Sequence, residues 1–338
     1  MSLSPALDGH GFGLLRYDLD GLPRGSHLAI ELNSDTLRLS YDRLRFGRGE
    51  VGVNATGEAL IAGLLDEYYR DGRNEPGRGF YASYAALGGY AKLDAAPHFL
   101  ELAVTARRWL FQRNGSTDGD LSLPPEAWVG ELRLRYTLWL LDGDRQAQRL
   151  HPRVRGVAFG VELGLDQRSE ARRWGAPDET RNDPARSIYS VRQWLRAGVK
   201  VHARVRFQLD EVACWMSGED DLVRLRVGGL NPYSVPLAGA PWAGYLAGKV
   251  AATDATLHVR AWREHEVGVL LDTVVLDDAD RAGALGRAAV LAGVGVFADL
   301  RWRAWQLDLR GGWSPTLRPN SIAGGWGMFA ALGWGWSR

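Results

Sequence analysis

The chain has 338 residues, and 41 Lys+Arg against 40 Asp+Glu leave a formal charge of +1, so no global field favours a polyanion and no nucleic-acid partner is expected. The single cysteine, Cys214, cannot close an intramolecular disulfide, and no Cys/His cluster or dinucleotide fingerprint is present, so neither metal nor cofactor is expected. The longest apolar candidate, Ala288 to Ala298, falls short of the ~18 residues a transmembrane helix needs, which excludes helical spanning.

With 42 glycines, 14 tryptophans and 11 tyrosines the composition suits an aromatic-rich all-β chain. Met1-Ser2-Leu3 leads into polar, Gly-rich sequence with no apolar signal region, so either the protein is not exported or a signal has been removed. Strict alternation then marks strands at 28–32 and 37–41, separated by the short turn Asn33-Ser34-Asp35. Leu60, Ile61, Leu64, Leu65 and Tyr68 fall at helical spacing and predict one amphipathic helix over 58–70. Strands follow at 80–90, where the pattern is noisier, and at 100–110 and 128–140, with a long connection at 113–126. After another noisier strand at 157–165 and a long connection at 166–190, residues 195–209 read as one strand. Leu195, Ala197, Val199, Val201, Ala203, Val205, Phe207 and Leu209 share one face, and Arg196, Lys200, His202, Arg204 and Arg206 share the other. The third long connection, 228–244, precedes noisier strands at 245–261 and 265–275, and then 290–304, 305–311 and 326–336.

Strand length discriminates between architectures. Soluble strands average ~5–6 residues, whereas a bilayer is crossed obliquely by ~9–11. Several alternating runs here reach that length. A soluble sheet would hide its apolar face under helices, and one helix cannot cover so many strands. The pattern predicts an all-β fold, a closed antiparallel transmembrane β-barrel of about 14–16 strands forming a single domain over 1–338. Trp128, Trp194, Trp262, Trp313, Trp326 and Trp336 sit near strand ends, where aromatic girdles meet headgroups. Long and short connections alternate, as external loops and periplasmic turns do. The competing architecture is a soluble all-β binding protein.

Arg196, Lys200, Arg204, Arg206, Arg301 and Arg303 are the expected lumen charges, facing Glu101, Glu131, Asp299 and Asp308. They either cross-brace a wet interior or form a selectivity surface for an anionic solute. Three acidic runs, Glu219-Asp220-Asp221, Asp277-Asp278-Ala279-Asp280 and Asp118-Gly119-Asp120, fit no EF-hand spacing and read as solvated turns or as cation sites bridging lipopolysaccharide. The histidines His10, His27, His98, His151, His202, His258 and His265 lie in no nucleophile motif.

The C-terminal third resembles the D15/Omp85 surface-antigen barrels, a superfamily of outer-membrane assembly factors and two-partner secretion pores. The resemblance is carried by Gly228-Gly229-Leu230-Asn231-Pro232-Tyr233-Ser234-Val235-Pro236-Leu237-Ala238-Gly239-Ala240-Pro241, then Gly268-Val269-Leu270-Leu271-Asp272-Thr273, Ala292-Gly293-Val294-Gly295-Val296, and Leu332-Gly333-Trp334-Gly335-Trp336. It implies that 228–244 is a loop folded into the lumen, with Asn231, Pro232, Tyr233, Pro236 and Gly239 among its residues and Asp272 as the acceptor of its latch. The family's Arg-Gly-aromatic motif is here Ala238-Gly239-Ala240, so the latch must run through a backbone amide or another arginine. The first strand is expected near Gly11, without the family's periplasmic POTRA repeats. Together these readings predict an outer-membrane pore, translocation or complex-forming subunit rather than an enzyme. Its expected partners are outer-membrane lipids, lipopolysaccharide and other envelope proteins. The alternative within the membrane is a lipid-modifying hydrolase with a site at the barrel rim.

Overall fold

The computed structural model describes residues 14–22, 26–33, 36–46, 48–58, 69–70, 73–142, 155–177, 182–228, 235–240, 244–277, 288–302, 305–316 and 325–334. In chain order the strands are β1 (Leu14–Leu22), β2 (Ser26–Asn33), β3 (Thr36–Phe46), β4 (Gly49–Glu58), β5 (Tyr69–Arg70), β6 (Arg73–Asn74), β7 (Phe80–Ala95), β8 (His98–Arg113), β9 (Trp128–Leu141) and β10 (Gly156–Arg168). They continue as β11 (Ser187–His202), β12 (Val205–Ser217), β13 (Leu225–Val227), β14 (Tyr245–Ala247), β15 (Lys249–Trp262), β16 (His265–Asp277), β17 (Ala288–Trp302), β18 (Trp305–Trp313) and β19 (Trp326–Trp334). Fifteen of them form one sheet in which each strand pairs with its neighbours in chain order. The pairs β5–β6 and β13–β14 stand outside it, within the connections. All pairings between strands are antiparallel. The predicted helix over 58–70 lies largely outside the described residues; Glu58 ends β4 and Tyr69 begins β5.

Alternation sorts the side chains onto two faces. The outer face exposes Leu100, Leu102 and Val104 on β8, Leu132 and Leu134 on β9, Phe207 and Trp215 on β12, and Val267, Val269 and Leu271 on β16. The opposite, inner face carries the charged residues and encloses them: Asp272, Asp299 and Asp308 are at most 1% exposed.

The run 195–209 is a hairpin, not one strand: β11 ends at His202, Ala203 and Arg204 make the turn, and β12 starts at Val205. A bulge between Lys200 and His202 explains the misreading. It shifts the register so that Val199 pairs with Phe207 and Ala197 with Leu209. Odd numbers thus stay on one face through the turn, and the sequence parity never breaks. The span 245–261 is likewise divided, with Gly248 between β14 and β15. The long connection at 166–190 is shorter than its sequence limits, because β10 and β11 extend to Arg168 and from Ser187.

Trp128, Trp262, Trp313 and Trp326 stand at strand ends on the outer face, each at least 40% exposed. Trp194 does not belong with them. It falls on the inner face in mid-β11, opposite Gly160, where a Cβ would lie 2.2 Å from the indole Nε1. The absent side chain at Gly160 makes the room, and Trp194 fills the interior. Trp336 lies outside the described residues.

Buried apolar side chains gather at two places. One cluster joins Cys214, Val250, Ala252, Val274, Leu276 and Leu291 on the inner wall to Val227, Val235, Leu237 and Ala240 of the connection between β12 and β15. The other joins Phe80, Trp109, Leu121, Val129, Trp174 and Leu246, and so knits three of the long connections to the strand ends below them.

Candidate functional site

The connection between β12 and β15 is held at its base and at its tip. At the base, both terminal nitrogens of the Arg168 guanidinium donate to Asp220 at 2.7 and 2.8 Å, and Trp174 Nε1 donates to the same carboxylate at 2.9 Å. Asp221 accepts from Asn182 Nδ2 at 3.1 Å and from Arg224 Nη1 at 2.8 Å. Both aspartates are fully buried. The run Glu219-Asp220-Asp221 is therefore neither a solvated turn nor an open cation site at its two aspartates. The charge of Asp220 is matched by the Arg168 fork and that of Asp221 by one nitrogen of Arg224, which is what makes burying them tolerable. Among the described residues no group of three His, Cys, Asp or Glu side chains is arranged to hold a metal ion.

From this base the chain runs inward. β13 and β14 pair, and Val227 bridges Val235 in parallel. A turn follows, closed by the Ala240 N–H donating to the Leu237 carbonyl at 3.2 Å. Its tip lies on a floor of glycines. A Cβ on Gly293 would come within 2.3 Å of the Ala238 carbonyl oxygen, and one on Gly312 within 2.6 Å of the Ala238 Cβ. Gly239 itself has φ +81°, and a side chain there would meet the Gly325 carbonyl oxygen at 2.2 Å. The backbone of the tip thus touches the backbone of the wall, and Ala238, fully buried, has no space beside it for a longer side chain.

One polar contact fixes the tip laterally: the Ala238 N–H donates to Asp272 Oδ2 at 2.7 Å. The other Asp272 oxygen is buried and has no hydrogen-bond partner. Asp272 stands beside Asp254, and Asp254 beside Asp210, in one row across β16, β15 and β12. Arg196 pairs with Asp210 at the end of this row. Arg310 Nε lies 3.2 Å from Asp308. The row of carboxylates thus meets a guanidinium at its Asp210 end and a backbone amide at its Asp272 end.

Of the predicted loop residues, Pro236 and Gly239 are in this turn, whereas Asn231, Pro232 and Tyr233 lie outside the described residues. Among the predicted lumen charges, Arg196, Arg206 and Arg301 are on the inner face and each is paired, with Asp210, Glu266 at 2.9 Å and Asp299 at 2.5 Å. Lys200 is exposed on that face near the short turn. Arg204 is not a wall residue: it sits in the 203–204 turn itself, exposed at the mouth, because the hairpin interrupts the run that seemed to contain it. Arg303 lies outside the described residues. Further along the wall, Arg135 pairs with Glu101 at 2.9 Å and with Glu162, Arg107 with Glu131 at 3.0 Å, and Arg133 with Asp166 at 2.5 Å.

Sequence reading missed Gly312, Arg168, Asp220 and Arg310 as parts of this site. Gly311-Gly312 before Trp313 was the available signal, a glycine pair inside a strand where a backbone approaches closely.

No family model matches the sequence, and no curated protein matches it. Solved structures do. BamA from Haemophilus ducreyi, in a form lacking POTRA domains 1–3, superposes with a TM-score of 0.67 at 10% identity over 98% of this chain and 68% of that one. The chain shares its fold with this Omp85-family neighbour. CdiB from Escherichia coli (TM-score 0.61, 11% identity) and CdiB from Acinetobacter baumannii (0.55, 13%) are also matched over 98% of this chain. The chain spans 62% and 58% of those two proteins. At such identities the likeness is one of fold.

Proposed function

We propose that the chain is a closed barrel of the bacterial outer membrane, acting as a pore, translocation or complex-forming subunit whose lumen is narrowed by the connection between β12 and β15. The observation that carries this reading is the turn Leu237–Ala240 seated on Gly293 and Gly312 with its amide on Asp272, because an ordinary external loop has no reason to bury its tip against an inner wall. The apolar outer face supports membrane insertion: exposed Leu, Val and Trp in such numbers would drive a soluble protein to aggregate. Closure belongs to the reading itself: β1 and β19 are the two edges of the sheet, and a sheet in lipid leaves no edge unpaired, so the proposal requires them to meet. The paired wall arginines favour cross-bracing over a selectivity surface, which makes the loop the element that governs passage.

Two measurements test the proposal. The protein should fractionate with outer membranes and migrate, unboiled, as a compact heat-modifiable species; release into the soluble fraction without detergent rejects the barrel. In planar bilayers, deleting 232–241 should raise single-channel conductance while the heat-modifiable species persists. A deletion variant that folds and conducts no better than the wild type means that the loop does not narrow the pore.

A further inference from the structure

The outer face has one place where its chemistry reverses. Glu211 on β12 points outward, is exposed, and forms no hydrogen bond or ion pair among the described residues. On its own strand it stands midway between the outward Phe207 and Trp215, roughly 13 Å of strand from each. That is the middle of an outward band to which Leu195, Phe207, Leu209 and Trp215 contribute large apolar side chains. Its row continues with Thr253 on β15 and Thr273 on β16, which pair with it and with each other in register. Gln193 on β11, one step up the outer face, is exposed beside it. Ala213, Ala251 and Ala255 beside these polar groups are small, whereas Leu195, paired with Glu211, and Leu209, paired with Ala255, border them. An unpaired carboxylate facing lipid is costly, and one bordered by alanines on the β15 side can be covered by another protein wall.

From this patch we infer that β12 and β15 form a lateral interface at which a second copy of this chain docks within the membrane. The patch is complementary to itself. A two-fold axis along the membrane normal, passing between β12 and β15, brings Glu211 of each copy against Thr253 of the other, so that each hydroxyl donates to the opposite carboxylate. The alanines let the two walls approach closely enough for both bonds. This inference rests on the outer face meeting lipid, which the heat-modifiable gel tests first and separately.

The test uses the full chain in lipid nanodiscs, with mass read by native mass spectrometry and proximity by disulfide trapping in a Cys214→Ala background. The wild type should be dimeric, and when single variants are mixed, Glu211→Cys in one copy should cross-link to Thr253→Cys in the other, while neither should cross-link to Val104→Cys, on β8. Glu211→Leu should weaken dimerisation by about tenfold or more. That variant places a lipid-compatible side chain on the outer face, so it should insert at least as well as the wild type. Glu211→Gln keeps an acceptor and should retain most of the dimer. A folded wild type that is monomeric at all protein-to-lipid ratios, a Glu211→Leu variant that dimerises as well as the wild type, or trapping only to a different protein would each overturn the proposal.

Discussion

The wall formed by β8 to β10 and the wall formed by β15 and β16 are built from the same antiparallel pairing, yet their sequences look different. On the first, alternation is clean: Leu100, Leu102, Val104, Leu132 and Leu134 face out, and Glu101, Arg107, Glu131, Arg133 and Arg135 face in. On the second, the inner face of the half next to the long connections is apolar as well: Val250, Ala252, Val274 and Leu276 are buried inside, while Leu271 and Val275 are exposed outside on either side of Thr273. The inner face becomes polar again below the pair Asp254–Asp272, at Thr256, His258 and Glu266. Alternation reports a difference between the environments of two faces, not strand structure as such. Where a loop covers the inner wall both environments are dry, and the alternation vanishes.

This contrast can be broken most severely by placing a charge on each inner wall. Val274→Asp buries an uncompensated carboxylate beneath the loop and should cost about 3–5 kcal/mol in urea unfolding from lipid vesicles. Ala103→Asp, on the wet wall beside Arg133, should stay within about 0.5 kcal/mol of the wild type. Equal costs at the two positions would mean that the walls do not differ as described. The outer faces, by contrast, should behave alike. Val104→Arg and Val269→Arg should each cost about 2–4 kcal/mol near the bilayer midplane, and a clear inequality would show that one of these walls does not face lipid.

The same contrast explains how much was legible beforehand. The strand pattern, the sense of the two faces and the positions of the long connections follow from period-2 alternation. The noise at 245–261 and 265–275 falls on the wall that the loop covers, but 80–90 and 157–165 are noisy too, so noise alone does not mark that wall. A hairpin was invisible at 195–209 because the bulge before His202 preserves parity. Trp194 was misplaced because a tryptophan next to a turn and a tryptophan opposite a glycine look identical in one dimension. Asp220 and Asp221 read as solvated because their partners Arg168, Trp174 and Asn182 come from other segments of the chain. The identification of Gly239 and Asp272 came from resemblance alone, since one glycine and one aspartate have no periodicity to betray them.

A smaller effect sharpens the boundary between the two halves of the second wall. Asp272→Ala removes the acceptor of the Ala238 amide and should cost about 1.5–3 kcal/mol of loop anchoring, the range for a hydrogen bond to a charged group. Hydrogen exchange at the Ala238 amide should report it directly, as faster exchange without global unfolding. Asp272→Asn keeps a carbonyl acceptor and also relieves the charge shared with Asp254, so its amide should stay largely protected. If alanine and asparagine accelerate exchange equally, the anchor depends on the charge of Asp272 rather than on its hydrogen bond.

The smallest expected effect on stability lies in the ladder of the first wall. Arg135 bridges Glu101 and Glu162 but is half exposed, so solvent screens both pairs. Arg135→Gln should therefore cost about 0.2–1 kcal/mol, the range of exposed ion pairs, despite removing two salt bridges at once. Its electrical consequence is larger than its structural one, because Glu101 and Glu162 are left facing the lumen with one cation fewer. In a salt gradient, the reversal potential of the loop-deleted channel should move towards cation selectivity. Arg301→Gln, which leaves Asp299 buried with Gln306 as its remaining neutral donor, should instead show a clear loss of stability. If Arg135→Gln destabilises as much as Arg301→Gln and leaves the reversal potential unmoved, the first wall is dry like the second.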